Sequence, residues 1–562
     1  MQRFLTSRSG AQSSTKTNGK TTASKKPEKL KSPILTEEYK TMIREASYLG
    51  KRGYTIPKAS LTEEDMAFLK QDLFLKPEVP GAVNYGGANQ DASAFPVYRE
   101  SDKKLYIPRF YGVERYGHPA RSEIEPGVDI NVSFAKPLRD YQEQIVQTYL
   151  DAVCDDNPSG GILQVYTGGG KTVLAIKIAA CLGKKTIIIV HKEFLMNQWI
   201  ERLNEFMPTA RIGKIQGNKC DIENKDIVIG MVQTLYNRTF PQEVYSQFGL
   251  TIIDEVHRIG SEEFSKTLLK FITPYMLGIS ATVERKDRLT KILYMFIGPI
   301  IYSTERPKTD IVNVRGIEFR TGDQEFNEVE LDFRGKPKYS TMMAKLCEYG
   351  PRRDLILRVI EDLIKENPKA QMIVLGHYKN LLKELYEGIE KRGFASVGYY
   401  LGGMRAHELK ESEEKQILIS TYAMSSEGLD VKNLSILVLA TPKSDIVQSA
   451  GRILRMKHEN PIIVDIIDSH SVFKNQWETR RRYYKKCNYR IRYTTSHTYC
   501  GFTQQDWEKD WIKVYDPKAG AVIGSLSDKT EDSNDAEEGE EETEGKTNTI
   551  FGGKCAIQLE NL

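Results

Sequence analysis

The chain has 562 residues, 40% hydrophobic and 28% charged, and a formal net charge of only +4. That length predicts several folding units, each able to bury a core under a charged surface. No apolar run approaches the roughly 18 residues of a membrane-spanning helix, and the amino terminus lacks the apolar stretch of a secretory signal. The seven cysteines form no C-x-x-C pair, which argues against a disulfide frame or a zinc ribbon. The expected setting is a reducing, intracellular one.

Residues 1–34 are predicted to be a disordered basic tail. Arg3, Arg8, Lys16, Lys20, Lys25, Lys26, Lys29 and Lys31 face one acid, Glu28, and like charges at this density repel one another. Residues 35–132 are expected to form a small N-terminal α+β accessory domain. Within it, Thr62 ahead of Glu63, Glu64 and Asp65 reads as a helix start, because a hydroxyl and acids satisfy exposed amides and suit the helix dipole. Leu61, Met66, Phe68, Leu69, Leu73 and Phe74 supply its apolar face, and Pro77 and Pro80 stop it. Residues 84–130, rich in Gly, Pro and Tyr, read as short strands and turns.

From about Pro137 short β-branched runs alternate with helical stretches. The runs at 162–166, 186–190, 227–231, 250–254 and 276–280 are too short for helices and too apolar for edge strands. They predict buried parallel strands. A second series follows at 371–375, 416–420, 434–440 and 461–467. The expected fold class is therefore α/β, with two tandem parallel-sheet domains at 133–305 and 346–485 and a cleft between them. A linker with room for strands of its own is predicted at 306–345, a C-terminal extension at 486–525 and a disordered acidic tail at 526–562, where Glu531 to Glu544 run nearly without a base.

The first domain carries a phosphate-binding signature. A strand runs into Thr167-Gly168-Gly169-Gly170-Lys171-Thr172, and a helical pattern follows. Three glycines let backbone N–H groups converge on phosphate oxygens, and the helix places its positive end there. Lys171 would reach the β- and γ-phosphates and Thr172 would ligate Mg²⁺. The general pattern wants glycine where this chain has Val165. Asp254-Glu255-Val256-His257 closes a buried strand, the usual place for acids facing a nucleotide crevice. Asp254 would hold Mg²⁺ through water, Glu255 would align or deprotonate the attacking water, and His257 would sense the nucleotide. Ser280-Ala281-Thr282 ends another strand, where small hydroxyls can couple the acids to domain motion. Just ahead of the domain, the Gln142 amide could read adenine and Arg139 could support base or phosphates.

Taken in order, these segments resemble motifs I, II and III of the superfamily 2 helicases. Ser420-Thr421 with Ser426-Glu427-Gly428-Leu429-Asp430 resembles motif V, and Gln448-Ser449-Ala450-Gly451-Arg452-Ile453-Leu454-Arg455 resembles motif VI. The resemblance covers about residues 135–485. It implies RecA-like domains, a DEVH-box ATPase dependent on Mg²⁺, and an ATP site completed by Gly428, Asp430 and Gln448. Arg452 and Arg455 would cross the cleft to the γ-phosphate, so that hydrolysis depends on closure. The run from Gly278 to Asp287 is similar to helicases of the xeroderma pigmentosum group B and phage UvsW group, with Val283 where proline is common. The segment from Tyr106 to Gly112 and the helical pattern at 339–364 resemble the poxvirus transcript-release DNA helicase and its relatives in large DNA viruses.

That resemblance implies a virus-encoded 3′→5′ DNA helicase or translocase acting in transcript release or termination, or in DNA repair or recombination. It implies a virion, host-cytoplasm or host-nucleus location and a transcription-machinery partner. Strand contacts map to Lys192, Gln216, Gln233, Thr234 and Thr421, where phosphate contact would give grip without sequence reading. Three alternatives stay open: a duplex translocase that does not separate strands, a helicase acting on RNA or an RNA–DNA hybrid, and a catalytically inactive nucleic-acid-binding scaffold. A restriction-endonuclease motor shares the same parts, but no nuclease constellation accompanies them.

Overall fold

The computed structural model describes residues 30–76, 94–154, 159–256, 261–283, 289–304, 312–331, 335, 337–427, 429, 431–502 and 511–517. Both charged tails, apart from residues 30–34 of the basic one, lie outside the described residues, as do His257, Gly428 and Asp430.

The N-terminal domain is a five-stranded sheet ordered Arg99–Glu100, Lys104–Ile107, Gly53–Pro57, Tyr48–Gly50, Arg121–Ser122. Helices Glu37–Ala46, Glu63–Asp72 and Arg109–Tyr116 accompany it. The helix start at Thr62 is as expected, its hydroxyl accepting from the Asp65 amide at 3.2 Å. Two local readings differ. Phe74 is exposed, and Asp65 is fully buried, where the Tyr116 hydroxyl donates to it at 2.6 Å and the Arg115 guanidinium pairs with it. Arg109–Tyr116 is a helix in a stretch read as strands and turns.

The first large domain has eight strands in the order Lys219–Asp221, Ile212–Gln216, Ile227–Met231, Thr186–Val190, Leu250–Asp254, Tyr275–Ser280, Gly160–Val165, Ile300–Thr304. Every pairing is parallel except the outermost one at Lys219–Asp221. Strands Thr186–Val190 and Leu250–Asp254 are buried along their whole length, the mark of a sheet covered by helices on both faces. Parallel pairing places the loops after Val165, Asp254 and Ser280 along one edge.

The second large domain repeats the plan, in the order Val397–Tyr400, Ile417–Thr421, Gln371–Gly376, Leu434–Leu439, Ile462–Asp468, Asn313–Phe319, Arg490–Thr495, Ile512–Tyr515. Asn313–Phe319 falls inside the segment expected as a linker, yet it lies between two parallel neighbours. Arg490–Thr495 and Ile512–Tyr515 extend the same sheet from the segment expected as an extension. The architecture is thus α/β, with two RecA-like parallel sheets and a small α+β domain ahead of them.

The N-terminal domain is seated on the first sheet domain. Arg109 is almost wholly buried, and its guanidinium donates to the carbonyls of Thr273 at 3.1 Å and Pro274 at 2.8 Å. Lys291 reaches Asp72 at 3.2 Å. One continuous apolar cluster runs from Ile43 and Tyr54 to Leu293 and Phe296.

Candidate active site

Strand Gly160–Val165 and helix Lys171–Leu182 hold the phosphate loop between them. Gly168 and Gly170 sit at φ values of 93° and 85°, a region that L side chains rarely adopt. A Cβ on Gly170 would stand 2.2 Å from the Gln142 amide nitrogen, and one on Gly169 would stand 2.6 Å from a Val165 methyl. Val165 is therefore accommodated because Gly169 has no side chain. The helix N-terminus faces the loop, the arrangement that attracts an anion.

Asp254 closes its strand almost wholly buried. The Trp199 indole N–H donates to its Oδ2 at 2.9 Å. Burial, and next the neighbouring Glu255, push its carboxyl up from 3.8 to about 6. Glu255 turns off the strand at a positive φ of 48° and stands 3.5 Å from the Lys171 ammonium. The Thr172 hydroxyl and the Asp254 carboxylate are hard oxygen donors of the kind that fits Mg²⁺. Such an ion takes one or two protein oxygens and completes its shell with phosphates and water.

The second sheet domain meets the loop directly. Helix Val447–Ala450 runs into a 3₁₀ turn, Gly451–Leu454. A Cβ on Gly451 would come within 2.9 Å of the Thr167 Cβ, so this glycine lets the two domains touch. Arg452 is buried and donates to the Leu429 carbonyl at 2.9 Å. Burial lowers the Arg455 guanidinium to about 10, with Arg202 of the first domain as the next cause.

These groups share one cavity of about 390 Å³. Its lining brings together Arg139, Thr167, Gly168, Gly170, Lys171, Thr172, Asp254, Glu255, Gln448, Arg452 and Arg455, all expected from the sequence. Six cationic side chains line it (Arg139, Lys171, Arg202, Lys432, Arg452 and Arg455) against the carboxylates Glu205, Asp254 and Glu255. That excess matches a polyanionic ligand.

Gln142 differs from its expected place. Its amide accepts from the Arg139 N–H at 3.1 Å and donates to the Gly169 carbonyl at 3.2 Å. It buttresses the loop from behind and is not part of the cavity lining. Ser280 and Thr282 close on each other: the Ser280 hydroxyl donates to the Thr282 carbonyl at 2.5 Å and accepts from its amide at 3.3 Å. Among the lining residues that escaped the sequence reading are Trp199, Arg202 and Lys432. Trp199 and Arg202 lie on helix Glu193–Phe206, where an amphipathic pattern does not tell a cleft-facing residue from a core one.

Residues 135–285 match the family described as "Type III restriction enzyme, res subunit". A protein of Acanthamoeba polyphaga mimivirus, "Putative ATP-dependent RNA helicase L396", is 32% identical over 492 residues, 85% of this chain and 92% of its own. The chain belongs to the superfamily 2 helicases. It hydrolyses ATP and acts on nucleic acid. A further relative of this helicase is "DNA 3'-5' translocase XPB2" of Sulfurisphaera tokodaii, 25% identical over 64% of this chain and 89% of its own. Among solved structures, T4 UvsW aligns over 80% of this chain and 99% of its own at 18% identity, with a TM-score of 0.34.

The residues expected to touch the strand lie at or just beyond strand ends: Gln216 and Thr421 end theirs, Lys192 caps a helix start, and Gln233 and Thr234 open helix Val232–Asn237. In the first domain these three segments are tied together. The Gln233 amide donates to the His191 carbonyl at 3.1 Å, beside Lys192. The Gly217 amide, next to Gln216, donates to the Thr234 hydroxyl at 3.0 Å. Arg238, which the sequence reading missed, donates to the Gly217 carbonyl at 2.7 Å. In the second domain Thr421 ends its strand and accepts from the Met424 amide at 3.3 Å. Among the described residues no helix is long and apolar enough to cross a membrane.

Proposed function

We propose that this helicase clamps Mg·ATP between its two sheet domains and steps 3′→5′ along a DNA strand. The observation that carries the reading is the shared cavity, with Lys171 and Asp254 on one wall and Arg452 and Arg455 on the other. Lys171 binds the β- and γ-phosphates, Thr172 and Asp254 hold Mg²⁺, and Arg139 lies toward the base. Held there, Mg²⁺ would supply positive charge against the triphosphate. Glu255, 3.5 Å from Lys171, orients the attacking water and takes its proton. Arg455 supplies positive charge to the γ-phosphate only when the domains are shut. Gln448 approaches the same nucleotide, and Arg452 is held to the Leu429 backbone. Ser280 and Thr282 pass hydrolysis to domain motion, which advances the strand-end segments bearing Lys192, Gln216, Gln233, Thr234 and Thr421 along the backbone.

The DNA and polarity readings draw support from the name of the Sulfurisphaera relative. The name of the mimivirus relative favours RNA as a second reading. A place in viral transcription, with transcription machinery as partner, rests on the resemblance of the front segment and the helices at 339–364 to the transcript-release helicases. ATP turnover measured with single-stranded DNA, duplex DNA and RNA at two salt concentrations separates the readings. Stimulation by DNA, weakening with salt as counterion release requires, is the expected result, and Lys171→Ala abolishes it. Stimulation by RNA alone replaces the DNA reading, and full turnover in Lys171→Ala removes the assignment of the phosphate loop.

A further inference from the structure

A buried tryptophan needs a partner for its N–H, and backbone carbonyls usually provide one. Trp199, only 1% exposed, instead donates to the Asp254 carboxylate at 2.9 Å. It sits at the centre of helix Glu193–Phe206, on the side where Met196 and Leu203 are also buried. Packing on the helix therefore fixes the indole before the acid meets it. Indole N–H is a donor only. It holds one carboxylate oxygen without taking a proton, competing for the metal or offering a second orientation. With Oδ2 held, the carboxyl cannot turn freely about its Cβ–Cγ bond, and the oxygens keep one direction relative to the cavity that both residues line.

We propose that Trp199 is a positioning residue, whose N–H fixes the Asp254 carboxylate in the orientation that receives Mg²⁺ with the nucleotide. The proposal rests on the reading of Asp254 as the Mg²⁺-facing acid. Partners of this kind, one bond away from the metal, typically change metal affinity about 10–100-fold when removed.

The test is Trp199→Phe in the full chain, which keeps an aromatic core and deletes the donor. Binding of a fluorescent ATP analogue is measured in EDTA and then across a Mg²⁺ titration, beside a thermal melt. The expected result is metal-free binding within about twofold of the parent, and a half-maximal Mg²⁺ concentration raised about 10-fold. Unchanged Mg²⁺ dependence overturns the proposal. So does a parallel fall of metal-free binding and melting temperature, since that is a core role alone. Site-specific replacement of Trp199 by its benzothiophene analogue, which keeps the ring shape and loses the N–H, repeats the test if the phenylalanine variant folds poorly. A parent protein whose nucleotide binding ignores Mg²⁺ would instead sink the reading of Asp254 itself.

Discussion

Asp254 is where function costs stability. Its carboxyl ionises near 3.8 in an unfolded chain and near 6 in the fold, because burial and Glu255 oppose the charge. The folded protein therefore binds the extra proton between those values, and stability falls as pH rises through that window. Above about pH 6 the full cost is present. Asp254→Asn removes the charge and keeps the shape. We expect the nucleotide-free variant to melt roughly 2–4 °C higher at pH 7.5, to show no gain below about pH 4, and to hydrolyse no ATP. A melting temperature that does not rise at pH 7.5 would contradict this account of the acid. Lys171, Asp254 and Glu255 were legible in the sequence because each follows a buried strand with a fixed chemical neighbour. Gln142 was legible as a site residue, but only the fold shows that its amide ties the Gly169 carbonyl to the Arg139 N–H. Trp199, Arg202 and Lys432 carry no spacing that marks them.

At the scale of elements, apolar β-branched runs announced the strands Thr186–Val190, Ile227–Met231 and Leu250–Asp254. Arg490–Thr495 was missed, and Asn313–Phe319 was read as linker structure and not as part of the sheet, because both carry charges into the interior. Arg315 pairs with Glu366 at 2.5 and 2.7 Å, while Glu318 receives the Tyr493 hydroxyl and pairs with Lys474 and Arg320. A strand whose charges are paired looks, in sequence, like a linker. Strand Ile462–Asp468 uses the same device at its acids. Asp465 takes both arms of Arg480 at 2.7 and 2.8 Å and the Tyr484 hydroxyl at 2.9 Å. Asp468 takes Arg352 at 2.6 and 2.8 Å. These acids hold the second sheet to its helices. Removing one partner of a buried pair strands the other charge, at about 3–5 kcal/mol. Arg352→Met should lower the urea midpoint of the second domain accordingly, and Asp468→Asn added to it should restore part of the loss. A loss under about 1 kcal/mol would mean the pair is not a structural tie.

For the whole molecule, each domain's interior was legible, whereas their seating was not. Arg109, buried against the Thr273 and Pro274 carbonyls, binds the N-terminal domain to the first sheet domain, and no local pattern marks such a long-range contact. The contact of Gly451 with Thr167 brings the second domain onto the phosphate loop. An exposed ion pair of Lys410 with Glu201 at 3.0 Å spans the same seam. The central claim is that a triphosphate is gripped by both domains, with chemistry waiting on the second. Arg455→Ala tests it most directly, with ATP binding and nucleic-acid-stimulated turnover measured on the same preparation. Affinity within a few-fold of the parent and turnover lower by about 10³ is the predicted result. Turnover near the parental rate, or binding and turnover lost together, would contradict the account.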